Sequence, residues 1–556
     1  MSFTGIHSGN RPAGAPFAGR SAVWGARGAA ATSHPLATLV AIDILRAGGS
    51  AVDAGIAANA CLGLMEPTAC GIGGDVFAML WDPKEGKVVG LNGSGRSPRG
   101  LSLDEHRRRA CGGFIAPVGA VSVSVPGAVD GWAALHARHG RMPWKALFEP
   151  AIHYCDQGAS VPQVIAAAWR GNVGRLLADA RIEETGNLRR VFAPGGVTPP
   201  EGELFRNPEL GRVYRLIAEG GREAFYEGEI AERMERYFAR IGGWMTRADL
   251  AEHRCEWVTP LSTSYRGVEV LGLGPNTQGL STLQILNVLE CFDLKAMGFQ
   301  SAASIHHQAE AKRLAFEDRA RAFADPSFAA PADWLNAKAY AAERAALIRP
   351  DRINDALRPG EAPGHGDTTY LCTADDQGMM LSLIQSNFRG MGSGLVPDGL
   401  GFMLQNRGEL FALQDGHPNV YAPGKRPFHT IIPGFAMKDG APWLAFGVMG
   451  GDMQPQGQAQ IIVDMVDYGL GPQEAGDAPR WRHEGSPDPV GRPAEGTGVL
   501  HLESGVPETT RAGLADIGWR LGGSDGGFGG YQAIQRGAHA YGAASELRKD
   551  GLALAY

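Results

Sequence analysis

The sequence predicts an α/β protein built as a layered sandwich, on three observations. In the last third, apolar and polar residues alternate in paired runs separated by tight turns, the pattern of antiparallel hairpins. The middle third carries long stretches that read as helix. The 79 glycines and 35 prolines are spread along the chain, so they punctuate many short elements instead of forming linkers.

The elements follow in chain order. Ala29 to Leu64 reads as two buried helices. Ser50-Ala51-Val52-Asp53 has capping-box spacing, with Asp in place of Glu, and Ala54 to Leu64 is too apolar for a surface helix. Gly71-Ile72-Gly73-Gly74 forms a turn before a strand from Val76 to Trp81. Helices are predicted at Gly127–Arg138, Trp144–Gln157, Arg222–Ile241, Leu280–Leu294 and Ala302–Ala324. The last of these stops before Asp325-Pro326, because a proline disfavours helical geometry in the residue before it.

After Gly366 the texture changes. Thr369, Leu371 and Thr373 alternate with Tyr370 and Cys372, Asp375 to Gly378 turns, and Leu381 to Asn387 continues as the second strand of a hairpin. A second hairpin spans Thr430 to Val448 around Asp439-Gly440. Helices at Gln458–Tyr468 and Glu508–Ile517 follow, then strands at Tyr531–Gln535 and Ala540–Ala544.

Composition narrows the function class. The chain has 556 residues, 44% hydrophobic and 20% charged, which suffices for a large core. The net charge of −7 comes from interspersed charges with no basic stripe, which argues against nucleic acid. Seven cysteines are scattered, with no Cys-x-x-Cys, so neither a disulfide framework nor a zinc site is expected. The first residues lack the apolar core of a secretory signal, and no run approaches the ~20 apolar residues of a membrane span. A soluble cytoplasmic protein without metal or cofactor is expected.

Several groups could carry chemistry. The glycines at 71–74 precede a strand, whereas a phosphate loop needs a following helix, so a tight turn is the better reading. His306 and Glu310 stand four apart on a helix but have no third ligand, so they read as a polar pair. Gly450-Gly451 follows a strand and could offer two backbone N–H groups to an oxyanion, or form an ordinary turn. Arg96 sits among small residues and could clamp a carboxylate or be a solvated surface residue. Thr368 follows a compact Gly366-Asp367 step and opens a buried strand. A cut before it would put a hydroxyl nucleophile and an amine base on one residue.

Gly366-Asp367-Thr368-Thr369-Tyr370 is followed by Ser386-Asn387-Phe388, Gly392-Ser393-Gly394, Leu404-Gln405-Asn406-Arg407-Gly408, Pro423 to Pro427 and Gly447-Val448-Met449-Gly450-Gly451. In order and spacing these tracts resemble the γ-glutamyltransferase family of N-terminal-nucleophile hydrolases. Residues 48–54, Glu66-Pro67, the turn at 71–74 and Pro126-Gly127 agree, so the likeness runs from about Ala22 to Tyr556.

The resemblance implies an αββα four-layer sandwich with a helical middle region. It implies a precursor that cuts itself between Asp367 and Thr368, leaving a large piece (1–367) and a small piece (368–556) associated as one intertwined domain, with further homo-oligomerisation open. Thr368 would attack a substrate amide, Gly450 and Gly451 would hold the oxyanion, and Ser386 would support the nucleophile. Arg96 falls near the family's carboxylate clamp.

The chain also departs from the family pattern. Aligned without gaps from Thr368, the positions that hold a glutamyl amino group are Leu410 for the acid, Phe388 for the asparagine, and His429 and Thr430 for the serines; a neutral amide is Arg407. Glu409 would need a register shift to replace the acid. The pocket therefore reads as more cationic through Arg407 and His429, and the short Tyr421–Lys425 segment leaves it more open. The expected activity is cleavage of a γ-glutamyl or related acidic amide through an acyl-enzyme, resolved by water or an amine. Alternatives are an amidohydrolase for an oxamate-type amide, a glutaryl or cephalosporin acylase, and, last, a non-catalytic binding protein.

Overall fold

The computed structural model describes residues 20–355, 368–493, 496–524 and 526–556. Two seven-stranded sheets, antiparallel throughout, form its centre. In the first, the order is Leu552–Ala555, Ala29–Thr32, Thr369–Ala374, Met380–Ser386, Asp75–Asp82, Lys87–Gly93, Glu256–Val258. In the second it is Val23–Gly25, Tyr541–Ser545, Tyr531–Arg536, Ala441–Val448, Gly434–Lys438, Val268–Gly272, Leu261–Tyr265.

Side-chain alternation divides the apolar residues into three layers. Between the sheets lie Phe77, Met79, Tyr370, Cys372 and Ile384 from one side, and Phe435, Ala445 and Ile534 from the other. On the outer face of the first sheet, Leu80, Leu371, Leu381 and Leu383 pack with Val52, Ile56 and Leu62. On the outer face of the second, Val270, Leu444, Phe446 and Val448 pack with Leu283, Leu286, Ile461 and Ile462. Helices cover both outer faces, which makes the architecture αββα. The sheets approach closely where the Tyr370 ring lies on Gly447; a Cβ there would stand 2.4 Å from the ring.

Most predicted elements appear within a few residues of their predicted bounds. The capping box of Ser50 and Asp53 is present and starts helix Ala51–Met65. The hairpin at 439–440 turns on two residues with positive φ, Asp439 and Gly440, as its Asp-Gly sequence requires.

Four predicted elements differ, each for a local reason. Ala29–Thr32 is a strand, not the start of a helix. It is fully buried between Leu552–Ala555 and Thr369–Ala374, where pairing overrides alanine's helical preference. Arg222–Ile241 is interrupted, with one helix ending at Tyr226 and the next starting at Glu229 after Gly228. Leu280–Leu294 ends at Leu289, and Asp293 caps a separate turn, Leu294–Met297. The helix expected from Gln458 begins at Met453, because Pro455 lies in its first turn, where the missing N–H costs nothing.

Candidate active site

Thr368 lies directly before strand Thr369–Ala374 and is fully buried. Asp367, the other side of the expected cut, lies outside the described residues. The Thr368 hydroxyl donates to Ser386 Oγ at 3.3 Å, and Ser386 Oγ also accepts the N–H of Phe388 at 2.8 Å. The next residue, Thr369, donates to Glu66 Oε2 at 3.1 Å, and Ser33 donates to the same oxygen. Glu66 thus ties the start of the strand to the end of helix Ala51–Met65.

The glycine turn at 71–74 is a point of close backbone approach. A Cβ on Gly73 would stand 2.0 Å from Met403 O, and one on Gly74 would stand 2.2 Å from Ser386 O. Gln385 holds the turn from both sides: Gly71 N–H donates to its Oε1 and its Nε2 donates to Gly71 O. Asp75, directly after the turn, pairs across the sheet with Ser386. Its Oδ1 accepts from Gly95 N, Gly127 N and Gln405 Nε2, and its Oδ2 shares a hydrogen bond of 3.0 Å with His429 Nε2. Burial pushes the Asp75 carboxyl up to about 7.

At the end of strand Ala441–Val448 the chain passes through Gly450 and Gly451, both with positive φ, into helix Met453–Val466. Their carbonyls accept the first-turn N–H groups of Met453 and Gln454. Two neighbouring backbone N–H groups thereby stand at a helix N-terminus, where the helix dipole favours negative charge. The turn is braced by side chains. Gln278 Nε2 donates to Gly451 O at 3.0 Å and Thr430 O at 2.6 Å, while Arg319 Nη1 donates to Gln278 Oε1 and to Asp452 Oδ1 at 2.6 Å.

Gly450, Gly451 and Thr430 line a cleft. Phe388, Leu410, Phe428 and Val490 form an apolar wall, with Arg389 in the lining as well. The wall continues through Pro489 to a polar side made by Lys312, Arg482, Ser486 and Asp488.

The other residues singled out in the sequence are placed as follows. Arg407 is fully buried behind the wall; it stacks 4.2 Å from the Phe388 ring centre and donates to Thr430 Oγ1 at 2.7 Å. Desolvation brings its guanidinium down to about 9, so its charge is held at a cost. His429 does not bring the expected cationic character: burial and the nearby Arg407 push its imidazole well below the usual range, and it is neutral. Glu409 pairs with Arg389, which accounts for the carboxylate beside Leu410. Arg96 is outside the cleft lining; its guanidinium reaches Asp325 at 3.4 Å, Glu256 at 3.2 Å and Gly424 O at 3.2 Å. His306 donates to Arg349 O and accepts from Trp519, and Glu310 pairs with Arg313, so the two do not act together. Asp75, Gln278 and Arg319 were not found from the sequence. Asp75 had a signal, the position after a glycine turn and at the start of a buried strand, but its partners come from four separate segments.

Residues 37–556 match the family model of gamma-glutamyltranspeptidase. The chain belongs to this family. Among relatives of the gamma-glutamyltranspeptidase family, it is 36% identical to the glutathione hydrolase-like YwrD proenzyme of Bacillus subtilis, over 81% of this chain and 83% of that one. It is 33% identical to the oxamate amidohydrolase proenzyme of Klebsiella pneumoniae, over 82% of this chain and 84% of the relative. The crystal structure of a cephalosporin acylase from Bacillus halodurans superposes with a TM-score of 0.89 at 38% identity, covering 97% of each chain. The family is one of enzymes made as proenzymes, and its N-terminal-nucleophile fold is the αββα arrangement described above.

Proposed function

We propose that the chain cuts itself before Thr368 and then hydrolyses amides of short diacids, whose acyl group ends in a carboxylate and carries no α-ammonium. The observation that carries this reading is the Phe388–Leu410–Phe428 wall beside Gly450 and Gly451. An ammonium would be stranded against three apolar side chains, whereas the methylenes of a glutaryl group fit there. Arg389, in the lining of the same cleft and paired with Glu409, is the cation that the distal carboxylate would meet. In this mechanism the freed Thr368 amine takes the hydroxyl proton, the oxygen attacks the amide carbonyl, and the Gly450 and Gly451 N–H groups hold the oxyanion. The amine component leaves with the proton, and water or another amine resolves the ester. The names of two relatives, a cephalosporin acylase and an oxamate amidohydrolase, support this substrate class.

Profiling the mature protein on glutaryl, oxamyl and γ-glutamyl anilides tests the reading. Glutaryl or oxamyl turnover is expected to exceed γ-glutamyl turnover by at least about tenfold, the value of one misplaced charge; a preference for the γ-glutamyl donor would overturn it. One observation favours that second reading, γ-glutamyl transfer. Asp488 lies in the cleft wall with Oδ2 free of any hydrogen bond, and could receive an ammonium.

A further inference from the structure

The polar side of the cleft holds a positive charge without a counter-charge. Of the other charged side chains that line the cleft, each has an opposite charge beside it: Asp452 pairs with Arg319, Arg482 with Glu484, Arg389 with Glu409, and Asp488 Oδ2 has Arg492 Nη1 at 4.0 Å. Lys312 is the exception. Among the described residues no carboxylate stands within 4 Å of its Nζ, and its partners there are all neutral.

Lys312 is buried on helix Ala302–Ala322, and its Nζ lies 3.1 Å from His483 O, 3.1 Å from His483 Nδ1 and 2.9 Å from Ser486 Oγ. His483 Nε2 lies 2.8 Å from Thr497 O, which can only accept, so Nε2 carries the ring hydrogen and Nδ1 is an acceptor. An ammonium has three N–H bonds, and each meets an acceptor here. The face of the Phe316 ring, its centre 3.9 Å from Nζ, also suits a cation. Ser486 Oγ therefore accepts from Lys312, and its own O–H finds no acceptor among the described residues. Ser486 is partly exposed in the cleft, so that hydrogen is left for an occupant.

We propose that Ser486, backed by Lys312, is a carboxylate-binding subsite for the amine component of the amide, an amino acid or short peptide with a free carboxylate. The carboxylate accepts the Ser486 hydrogen, and Lys312 polarises that hydroxyl as a positioning residue. The assignment to the amine component rests on the amide-cleaving reading above, in which the apolar wall and Arg389 take the acyl group. The two sides of the cleft then divide the substrate between them. A carboxamide in the same place would leave the lysine uncompensated. Burial pulls the Lys312 ammonium well below its usual range, with Arg319 and Arg313 adding to the effect and Asp452 and Glu484 opposing it. A bound carboxylate would oppose it as well and so favour the charged form.

The test compares glutaryl-glycine, glutaryl-β-alanine and glutaryl-4-aminobutyrate with their carboxamides as substrates of the mature enzyme. The series of lengths measures the span from the scissile bond to Ser486. At the best length the carboxylate should be preferred by at least about tenfold in kcat/KM, mostly through KM, the value of one charge-assisted hydrogen bond. Ser486→Ala should erase the preference and Ser486→Thr should keep it. Lys312→Met should erase it too; if that variant does not fold, the serine pair decides. No preference at any length, or a preference that survives in Ser486→Ala, overturns the proposal. Calorimetric binding of the free amino acids against their carboxamides separates this from the underlying reading, because it needs no turnover. If glutaryl amides are not cleaved, that reading fails while selective binding of the acids, lost in Ser486→Ala, upholds the subsite. Equal affinity for acid and carboxamide refutes the subsite itself.

Discussion

The hydroxyl of Thr368 lies 3.3 Å from that of Ser386, across the pairing of strand Thr369–Ala374 with strand Met380–Ser386. The contact joins the residue just before one strand to the last residue of its neighbour, so the hairpin itself sets the spacing of the two hydroxyls. Thr368→Ala is expected to remain a single chain on a denaturing gel and to show no amide hydrolysis. Thr368→Ser, which keeps the hydroxyl, should still process. A Thr368→Ala protein that runs as two fragments would refute the assignment.

Ser386 has a second duty, accepting the N–H of Phe388, whose φ of 78° is unusual for a side chain of that size. Ser386→Ala should therefore slow both self-cleavage and turnover by about tenfold, the value of one hydrogen bond, without abolishing either. Processing half-time and kcat measured side by side check this.

Gly450 combines a φ of 113° with Gly529 Cα standing 3.2 Å from where a Cβ would sit. Gly450→Ala should turn the N–H away from the oxyanion and lower kcat by about a hundredfold or more. The fold should survive, since Gln278 and Arg319 still brace the turn. Circular dichroism and kcat together separate the two effects.

Leu410→Asp should move the specificity. It places a carboxylate in the apolar wall, and a charge-assisted bond to an α-ammonium contributes about 1.5–3 kcal/mol. The ratio of γ-glutamyl to glutaryl turnover is expected to rise by at least about tenfold. An unchanged ratio would show that this wall does not contact the acyl group.

Asp75 and His429 should oppose each other in acid. The Asp75 carboxyl, pushed up to about 7 by burial, holds its proton in the folded state where the unfolded chain has lost it. Its contribution to stability therefore falls as pH rises from about 4 to 7, by up to about 1.4 kcal/mol per pH unit. His429, held neutral by burial, has the reverse sign: below about 6.5 the unfolded chain binds a proton that the folded one refuses. Asp75→Asn removes the first effect and leaves the second, so its urea midpoint should drop more steeply below pH 6 than that of the parent. A parallel pH profile would contradict the pair.

What was legible in the sequence was local or periodic. The Ser50–Asp53 cap, the Asp439-Gly440 turn and the alternation after Thr368 are written in neighbouring residues, and each specified its element. The family tracts single out Thr368, Ser386, Gly450 and Gly451 as candidates in the same way. What was not legible depends on distant partners. Ala29–Thr32 has the composition of a helix and becomes a strand only because residues some 340 and 520 positions away flank it. Arg407 reads as a new charge in the pocket, yet it is stacked behind Phe388, which no spacing rule could show.

The order of strands in the two sheets has a consequence for the molecule's life history. In both sheets, strands from before residue 368 alternate or pair with strands from after it. A break ahead of Thr368 would therefore yield two polypeptides, neither of which contains a complete sheet. Neither could reach its shape alone, and both would hold it once together. Covalent continuity would be needed to assemble the molecule and not to keep it, so folding has to precede cutting, and a denatured mature enzyme would have lost the instructions that its precursor carried.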